Sequence, residues 1–212
     1  MAEEFIKFWA ELSNRYDSAI DNVMGEKIRP KIREKLNEEN NLGNLIELGC
    51  GTGYFTKTLA DKSEHIISTD ISEEMLSIAR EKLKGLDFQV MDCQNLKFDD
   101  STFDTVFMGL VLLFTQPEKA LKESRRILRP GGLLIIADPD ISSLSFYGNL
   151  KFRFKALVNY RKIPSTGHML NQEKILDLLD KTGFEVVNKE IIRDDSNPNY
   201  VSANYIKAIN KK

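Results

Sequence analysis

The sequence predicts an α/β fold built on a doubly wound, mostly parallel sheet. Short apolar runs of strand length alternate with amphipathic helical patterns along most of the chain. Residues 45 to 56, Leu-Ile-Glu-Leu-Gly-Cys-Gly-Thr-Gly-Tyr-Phe-Thr, join an apolar strand to a helical pattern through Gly49, Gly51 and Gly53. A second apolar run, His65 to Thr69, ends on Asp70, about 20 residues past the glycines, where sheets of this kind hold a ribose diol.

Composition sets the limits. The 212 residues suit one domain with a small appendage. Hydrophobic residues make up 42% and charged residues 29%, as in ordinary globular proteins. A net charge of −2 gives no global pull toward nucleic acid or anionic membrane. No apolar run approaches the roughly 20 residues that span a bilayer. The start, Met-Ala-Glu-Glu-Phe, lacks the pattern of a signal peptide. Cys50 and Cys93 form neither a disulfide framework nor a metal-ligand spacing. A reducing, cytoplasmic setting is the simplest expectation.

At the N-terminus, Phe5, Phe8, Trp9 and Leu12 recur at helical spacing, and Ile20, Val23, Met24, Ile28, Ile32 and Leu36 continue the period. Gly25 and Pro30 predict a break, with Pro30 near a helix start. Residues 1–41 are therefore expected as a helical segment ahead of the sheet, either a packing pair or a lid. Residues 42–212 form the main domain.

The glycine loop follows the first strand. Glycine permits φ > 0 and lacks the Cβ that keeps a ligand off the backbone. The helix N-terminus adds free N–H groups and partial positive charge. The dinucleotide fingerprint G-x-G-x-x-G would need a glycine at 54, which is Tyr54. The loop is thus shaped for a nucleotide-like ligand without the pyrophosphate grip. After Asp70, Ser72 reads as an N-cap with Glu73 and Glu74 in the first turn, and Gly85 ends the helix. Asp87 to Met91 is a third strand ending in Asp92-Cys93-Gln94. Phe103 to Gly109 is a fourth, near-continuously apolar as buried parallel strands are. Pro117 opens a helix, Arg129-Pro130-Gly131-Gly132 is a turn, and Leu133 to Ala137 is the fifth strand. Asn171 caps a helix that Gly183 stops. Phe184 to Ile192 and Tyr200 to Ile209 are two strands joined by a polar Asp-Asp-Ser-Asn-Pro-Asn loop, a hairpin-like end.

Glu-Leu-Gly-Cys-Gly-Thr-Gly followed by Thr-Asp-Ile-Ser resembles the class I S-adenosylmethionine-dependent methyltransferases, within them the small-molecule group that includes the quinone methyltransferases. The resemblance is dense from Leu45 to Ala137 and looser toward both ends. Leu-Arg-Pro-Gly-Gly before an apolar strand is also typical of the family. It implies a Rossmann-like seven-stranded sheet with an antiparallel C-terminal strand, and S-adenosylmethionine as cofactor with S-adenosylhomocysteine as product. Carried over residue by residue, the cofactor site comprises Glu47, Gly49, Cys50, Gly51, Gly53, Asp70, Ile71, Met75, Asp92, Cys93, Gln94, Met108 and Gly109. Met75 would lie against the adenine, Asp92 would accept from its amino group, and the Cys93 N–H would donate to a ring nitrogen. Tyr16-Asp17 resembles a pair that many relatives place near the sulfonium, so Tyr16 joins the set.

The chain departs from relatives at the fourth-strand end. Many have Ser or Asn at 108 or 109 and His at 112 or 113; here stand Met108, Gly109, Leu112 and Leu113. The Asn-Pro-Pro-Tyr type motif of nucleic-acid and glutamine amide methyltransferases is also absent. No general base is evident. His168, in a Thr-Gly-His turn, Tyr16 and Tyr147 are candidates, with Tyr160 and Asp138 behind them. A metal at Asp138 and Asp140 lacks a third ligand, so none is expected.

Residues 139–168 read as an insert, with Lys151-Phe152-Arg153-Phe154-Lys155 alternating base and aromatic before Tyr160, Arg161 and Lys162. Three readings compete: a helix packed over the acceptor pocket, a docking patch for an anionic or lipid-like substrate, and a nucleic-acid contact, which the otherwise non-basic chain disfavours. The expected activity is in-line transfer of a methyl group from S-adenosylmethionine to an apolar or anionic small molecule, by a monomer or homodimer. A cofactor-binding protein without transferase activity, serving as a sensor or partner subunit, is the alternative. A nicotinamide-dependent oxidoreductase is a third reading, against which Tyr54 counts.

Overall fold

The computed structural model describes residues 2–142, 144–160, 170–194 and 201–211. Arg161, Lys162, His168, Tyr200 and most of the polar loop before it lie outside the described residues.

Three helices precede the sheet: α1 (Ala2–Leu12), α2 (Tyr16–Met24) and α3 (Ile28–Glu38). Gly25, at φ +99, ends α2, and Pro30 lies in the first turn of α3, where its missing N–H costs nothing. Strand β1 (Asn44–Leu48) leads through the glycine loop to the short α4 (Thr56–Ala60). Then follow β2 (His65–Asp70), α5 (Glu73–Lys82), β3 (Asp87–Val90) and β4 (Phe103–Gly109). The chain continues with α6 (Pro117–Ile127), β5 (Leu128–Asp140), α7 (Phe146–Tyr160), α8 (Gln172–Lys181), β6 (Phe184–Ile192) and β7 (Ser202–Asn210). The expected caps form: Ser72 Oγ accepts from Met75 N at 3.3 Å, and Asn171 Oδ1 from Lys174 N at 3.0 Å.

All seven strands form one sheet in the order β3-β2-β1-β4-β5-β7-β6. Pairing is parallel from β3 through to β5, and β7 runs antiparallel between β5 and β6. The chain order reverses between β1 and β4, so the carboxyl ends of those strands flank the switch point where open α/β sheets take ligands.

One strand is longer than its sequence suggested. Arg129–Gly132 form an outward excursion inside β5, with Gly131 at φ +75, because Phe103 pairs with Leu128 and Thr105 with Leu133. Asp138, Pro139 and Asp140 continue β5 by pairing with Asn204, Ala203 and Ser202. Residues that read as the start of the insert are therefore strand, and the helix of the insert is α7.

Side-chain alternation along the central strands feeds two cores. Leu45, Phe107, Ile135 and Tyr205 face α1, α2, α3 and α7. Ile46, Val106, Ile136 and Ile206 face α6 and α8. The N-terminal helices are part of the first core: Ile28, Ile32 and Leu36 are fully buried, and Glu39 accepts from Tyr205 Oη at 3.0 Å and Lys207 Nζ at 2.7 Å.

Candidate functional site

The glycine loop is held by its own backbone. Gly49 N and Cys50 N both donate to Thr69 O, at 2.7 and 2.9 Å, which ties the loop to the end of β2. Gly49, Gly51 and Gly53 have φ of +72, +55 and +81. A Cβ on Gly49 would lie 2.3 Å from Val111 Cγ2, so glycine is what lets the segment after β4 close onto the loop. A Cβ on Gly51 would meet only the Tyr16 ring, at 3.5 Å.

Asp70 organises the next layer. Its Oδ2 accepts from Gly51 N at 2.8 Å and its Oδ1 from Ser72 N at 3.0 Å, so one carboxylate joins the loop to the start of α5. Burial raises its pKa against the lowering effect of those N–H groups. Glu47, 1% exposed, lies beneath the loop. Its Oε2 accepts from Thr56 Oγ1 at 2.6 Å and Ser68 Oγ at 2.8 Å. Burial pushes its pKa up to about 7, only partly offset by the two hydroxyls.

The tip of β3 reaches toward α6. Asp92 Oδ1 accepts from Gln94 N at 2.9 Å and Gln94 Nε2 at 3.1 Å, while Gln94 Oε1 accepts from Gln116 N at 2.9 Å. Cys50 and Cys93 are buried, and burial pushes both thiols up, so neither is a ready nucleophile. Ile71 and Met75 pack into the core beneath the N-terminal helices. The Met108 side chain points the other way, into the α6 core with its Sδ 3.9 Å from Ser124 Oγ. At Gly109 a Cβ would stand 2.8 Å from Phe107 Cε1, and Leu110 takes φ +58, a strained conformation for a γ-branched residue.

The N-terminal helices close over the loop through a charge network that the sequence did not reveal. Arg29, 2% exposed, donates from Nε and Nη2 to Asp21 Oδ1 and Oδ2 at 2.8 and 2.7 Å, and from Nη1 to Asp17 Oδ1 at 2.8 Å. Its guanidinium lies 4.1 Å from the Tyr54 ring centroid. Asp17 also accepts from Thr52 Oγ1 at 3.0 and 3.1 Å and from Lys82 Nζ at 2.9 Å. One carboxylate thus touches α3, the glycine loop and α5. Burial works against its ionisation, but the Lys82 and Arg29 hydrogen bonds outweigh that and hold its pKa below the ordinary value. Tyr16 sits on Gly51 with its ring edge-on to Trp9 at 5.9 Å.

The structure therefore brings Glu47, Gly49, Gly51, Gly53, Asp70, Ile71, Met75 and Tyr16 around one loop, with Asp92, Cys93 and Gln94 at the neighbouring strand tip. It does not bring Tyr147 there: that ring is 80% exposed on the outside of α7. His168 lies outside the described residues. Tyr160 is buried near Tyr16, and burial raises the pKa of its phenol first of all. Asp138, 1% exposed, accepts from Leu113 N at 3.2 Å, and burial pushes its pKa up to about 7. Asp140 accepts from Ser142 N at 2.8 Å. Thr52 and Arg29 were missed. Thr52 stands inside the glycine motif, so the motif itself was a signal for it; Arg29 stands among Lys27, Lys31, Arg33 and Lys35 and reads as a solvated face.

Comparison with known proteins agrees with this geometry. The family described as "Methyltransferase domain" matches residues 46–136, from β1 to β5. A demethylmenaquinone methyltransferase of Clavibacter sepedonicus is 36% identical over 98 residues, which are 44% of this chain and 40% of that protein. The chain thus spans well under two thirds of that relative's length. An uncharacterized protein of Methanocaldococcus jannaschii is 30% identical over 185 residues, 87% of this chain and 78% of that one. The crystal structure of a SAM-dependent methyltransferase from Thermotoga maritima superposes with a TM-score of 0.72 at 26% identity, covering 97% of this chain and 99% of the other. The chain belongs to the class I S-adenosylmethionine-dependent methyltransferases.

Proposed function

We propose that this protein transfers a methyl group from S-adenosylmethionine to a small-molecule acceptor by in-line displacement. The observation that carries the reading is the Gly51–Asp70–Ser72 arrangement at the switch point: a carboxylate fixed by two backbone N–H groups beside a loop residue without a Cβ. The Asp70 carboxylate keeps acceptor capacity beyond its main-chain partners, which fits a ribose diol as donor.

When bound, S-adenosylmethionine supplies an electrophilic methyl group on a sulfonium leaving group, so no protein nucleophile is needed. In this reading Asp70 holds the ribose. Gly49, Cys50, Gly51 and Gly53 offer close main-chain contact, and Glu47 shapes the loop from below through Thr56. Ile71 and Met75 wall the base, while Asp92, Cys93 and Gln94 read its edge. The Met108 main chain and Gly109 border the methionine end. Tyr16 covers it, with the aromatic face that suits a cationic sulfur. Residues 1–41 act as a lid that excludes water, latched by Asp17 and Arg29. Residues 42–212 form the cofactor-binding domain, and the insert at about 139–168 shapes the acceptor side. The acceptor is a small apolar or anionic molecule rather than a nucleic acid, because the chain has no net basic charge.

The test is transfer of radiolabelled methyl from S-adenosylmethionine to a panel of quinols, phenols, amines and thiols. The reading expects label in at least one acceptor class, lost in Asp70→Ala. Tight binding of S-adenosylhomocysteine with no label in any class would replace it with the sensor or partner-subunit reading.

A further inference from the structure

Helix α7 exposes a surface unlike any other in the described residues. Eight of its positions face solvent: Phe146, Tyr147, Leu150, Lys151, Arg153, Phe154, Leu157 and Val158. Six are large and apolar, and their exposures run from 56% at Val158 to 80% at Phe146 and Tyr147. The other two are cations. No exposed position of the helix carries an acid or a neutral polar group.

The angular order is as telling as the composition. At about 100° per residue, Phe146, Leu157, Leu150, Phe154, Tyr147 and Val158 fall in one arc of roughly 120°. Lys151 borders that arc on one side and Arg153 on the other. The opposite side, Gly148, Ala156 and Tyr160, is buried, and the helix packs on α2. Lys155 is anchored there by a 2.7 Å hydrogen bond to Asn22 O. A helix that merely covered the core would turn its apolar stripe inward and a polar face out. This one packs Ala156, Phe152 and Tyr160 inward and still leaves six large apolar residues outward.

We propose that α7 docks the protein on the surface of an anionic lipid membrane, lying in the interface with this apolar arc immersed. Charge complementarity selects the occupant. In a chain whose acids outnumber its bases, α7 carries three cations and no acid, and two of them stand where the arc meets water, at headgroup level. Tyr147, apolar in its ring with a polar tip, sits inside the arc as interfacial tyrosines do. With 15 residues the helix is far too short to cross the bilayer, and no described helix is long and apolar enough to do so. Nearby, Glu26 is the acid that acts on Lys155 from the α2–α3 junction, and it faces the anchored side rather than the arc. The inference rests on the surface alone and stands or falls apart from the methyltransferase reading.

The experiment is co-sedimentation of the full chain with phosphatidylcholine vesicles, with and without phosphatidylglycerol, at low and high salt. The proposal expects binding to the mixed vesicles, weakened by salt and by removal of phosphatidylglycerol. Lys151→Gln with Arg153→Gln should weaken it by roughly thirtyfold, and Leu150→Ser with Phe154→Ser by at least about tenfold. Because these side chains touch little of the core, thermal unfolding should stay near that of the unaltered chain. A second readout is a polarity-sensitive dye on Phe154→Cys, which labels selectively because Cys50 and Cys93 are buried. Its emission should shift to the blue on mixed vesicles. Absence of vesicle binding overturns the proposal, as does binding that the Leu150 and Phe154 changes leave intact. So does a dimer of the unaltered chain that those changes dissociate, since the arc would then be an interface between copies.

Discussion

The glycine loop and the N-terminal helices above it are held in opposite ways. The loop is fixed by main-chain N–H groups inside one short stretch: Gly49 and Cys50 donate to Thr69 O, and Gly51 and Ser72 to the Asp70 carboxylate. The N-terminal helices are packed on the first core and tied to the loop by side-chain charge gathered from across the N-terminal half: Arg29, Asp17, Asp21, Lys82 and the hydroxyl of Thr52. Main-chain bonds depend on which residues allow the backbone to fold back, so the loop tolerates little change in shape. A charge network depends on every partner remaining present, so this junction is sensitive to loss of one group. The loop is therefore built as a rigid cradle, and the charge network is a latch that ties the N-terminal helices to it.

The largest expected effect tests the latch. Arg29→Ala leaves Asp17 and Asp21 facing each other without their shared cation, and should cost about 3 kcal/mol of unfolding free energy, measured by urea denaturation. It should also increase proteolysis between α3 and β1. The cradle is tested next by two glycines. Gly49→Ala pushes a methyl group into Val111 and should cost about 2 to 3 kcal/mol, whereas Gly51→Ala meets only ordinary contact with Tyr16 and should cost about 1 kcal/mol, the left-handed backbone alone. Equal costs at the two positions would mean that the loop and the segment after β4 are not packed as described. Asp70→Ala should weaken binding of S-adenosylhomocysteine by roughly 1 to 3 kcal/mol. Ser72→Ala, which removes the α5 cap and the hydroxyl's bond to Glu74 but keeps the N–H to Asp70, should cost about 1 kcal/mol of stability and little affinity.

A separate test lies in the pH dependence. Burial lifts Glu47 and Asp138 to about 7 in the folded state, while both ionise near 4 in the unfolded chain. Between those values the folded state holds protons that the unfolded state has released. Their contribution to stability therefore falls as pH rises from about 4 to about 7 and is level above that. Glu47→Gln keeps an acceptor for Thr56 and Ser68 and should flatten the slope of melting temperature against pH over that window. A slope unchanged in both Glu47→Gln and Asp138→Asn would show that neither carboxyl is buried as described.

The contrast also explains what was legible in the sequence. The cradle was readable because its causes are local: an apolar run, glycines at fixed offsets, an acid at a strand end, and Ser72 as a cap. The strands of the sheet were readable for the same reason. The latch was not, because Arg29 becomes a buried hub only when Asp17, Asp21 and Tyr54 converge on it in space. The extension of β5 through Asp140 was hidden for a related reason: its partner, β7, lies more than sixty residues further along. For α7 the alternation of bases and aromatics was visible, but not which side of the helix the core would take. The core takes the side of Ala156, Phe152 and Tyr160 and leaves six large apolar residues outside.

The measurement that tests the central claim most directly is isothermal titration of S-adenosylhomocysteine into the full chain and its Asp70→Ala variant. The account predicts micromolar binding to the unaltered protein and a loss of about fivefold or more in the variant. Equal affinity for both would contradict the placement of the ribose at Asp70, and no binding to either would contradict the cofactor site as a whole.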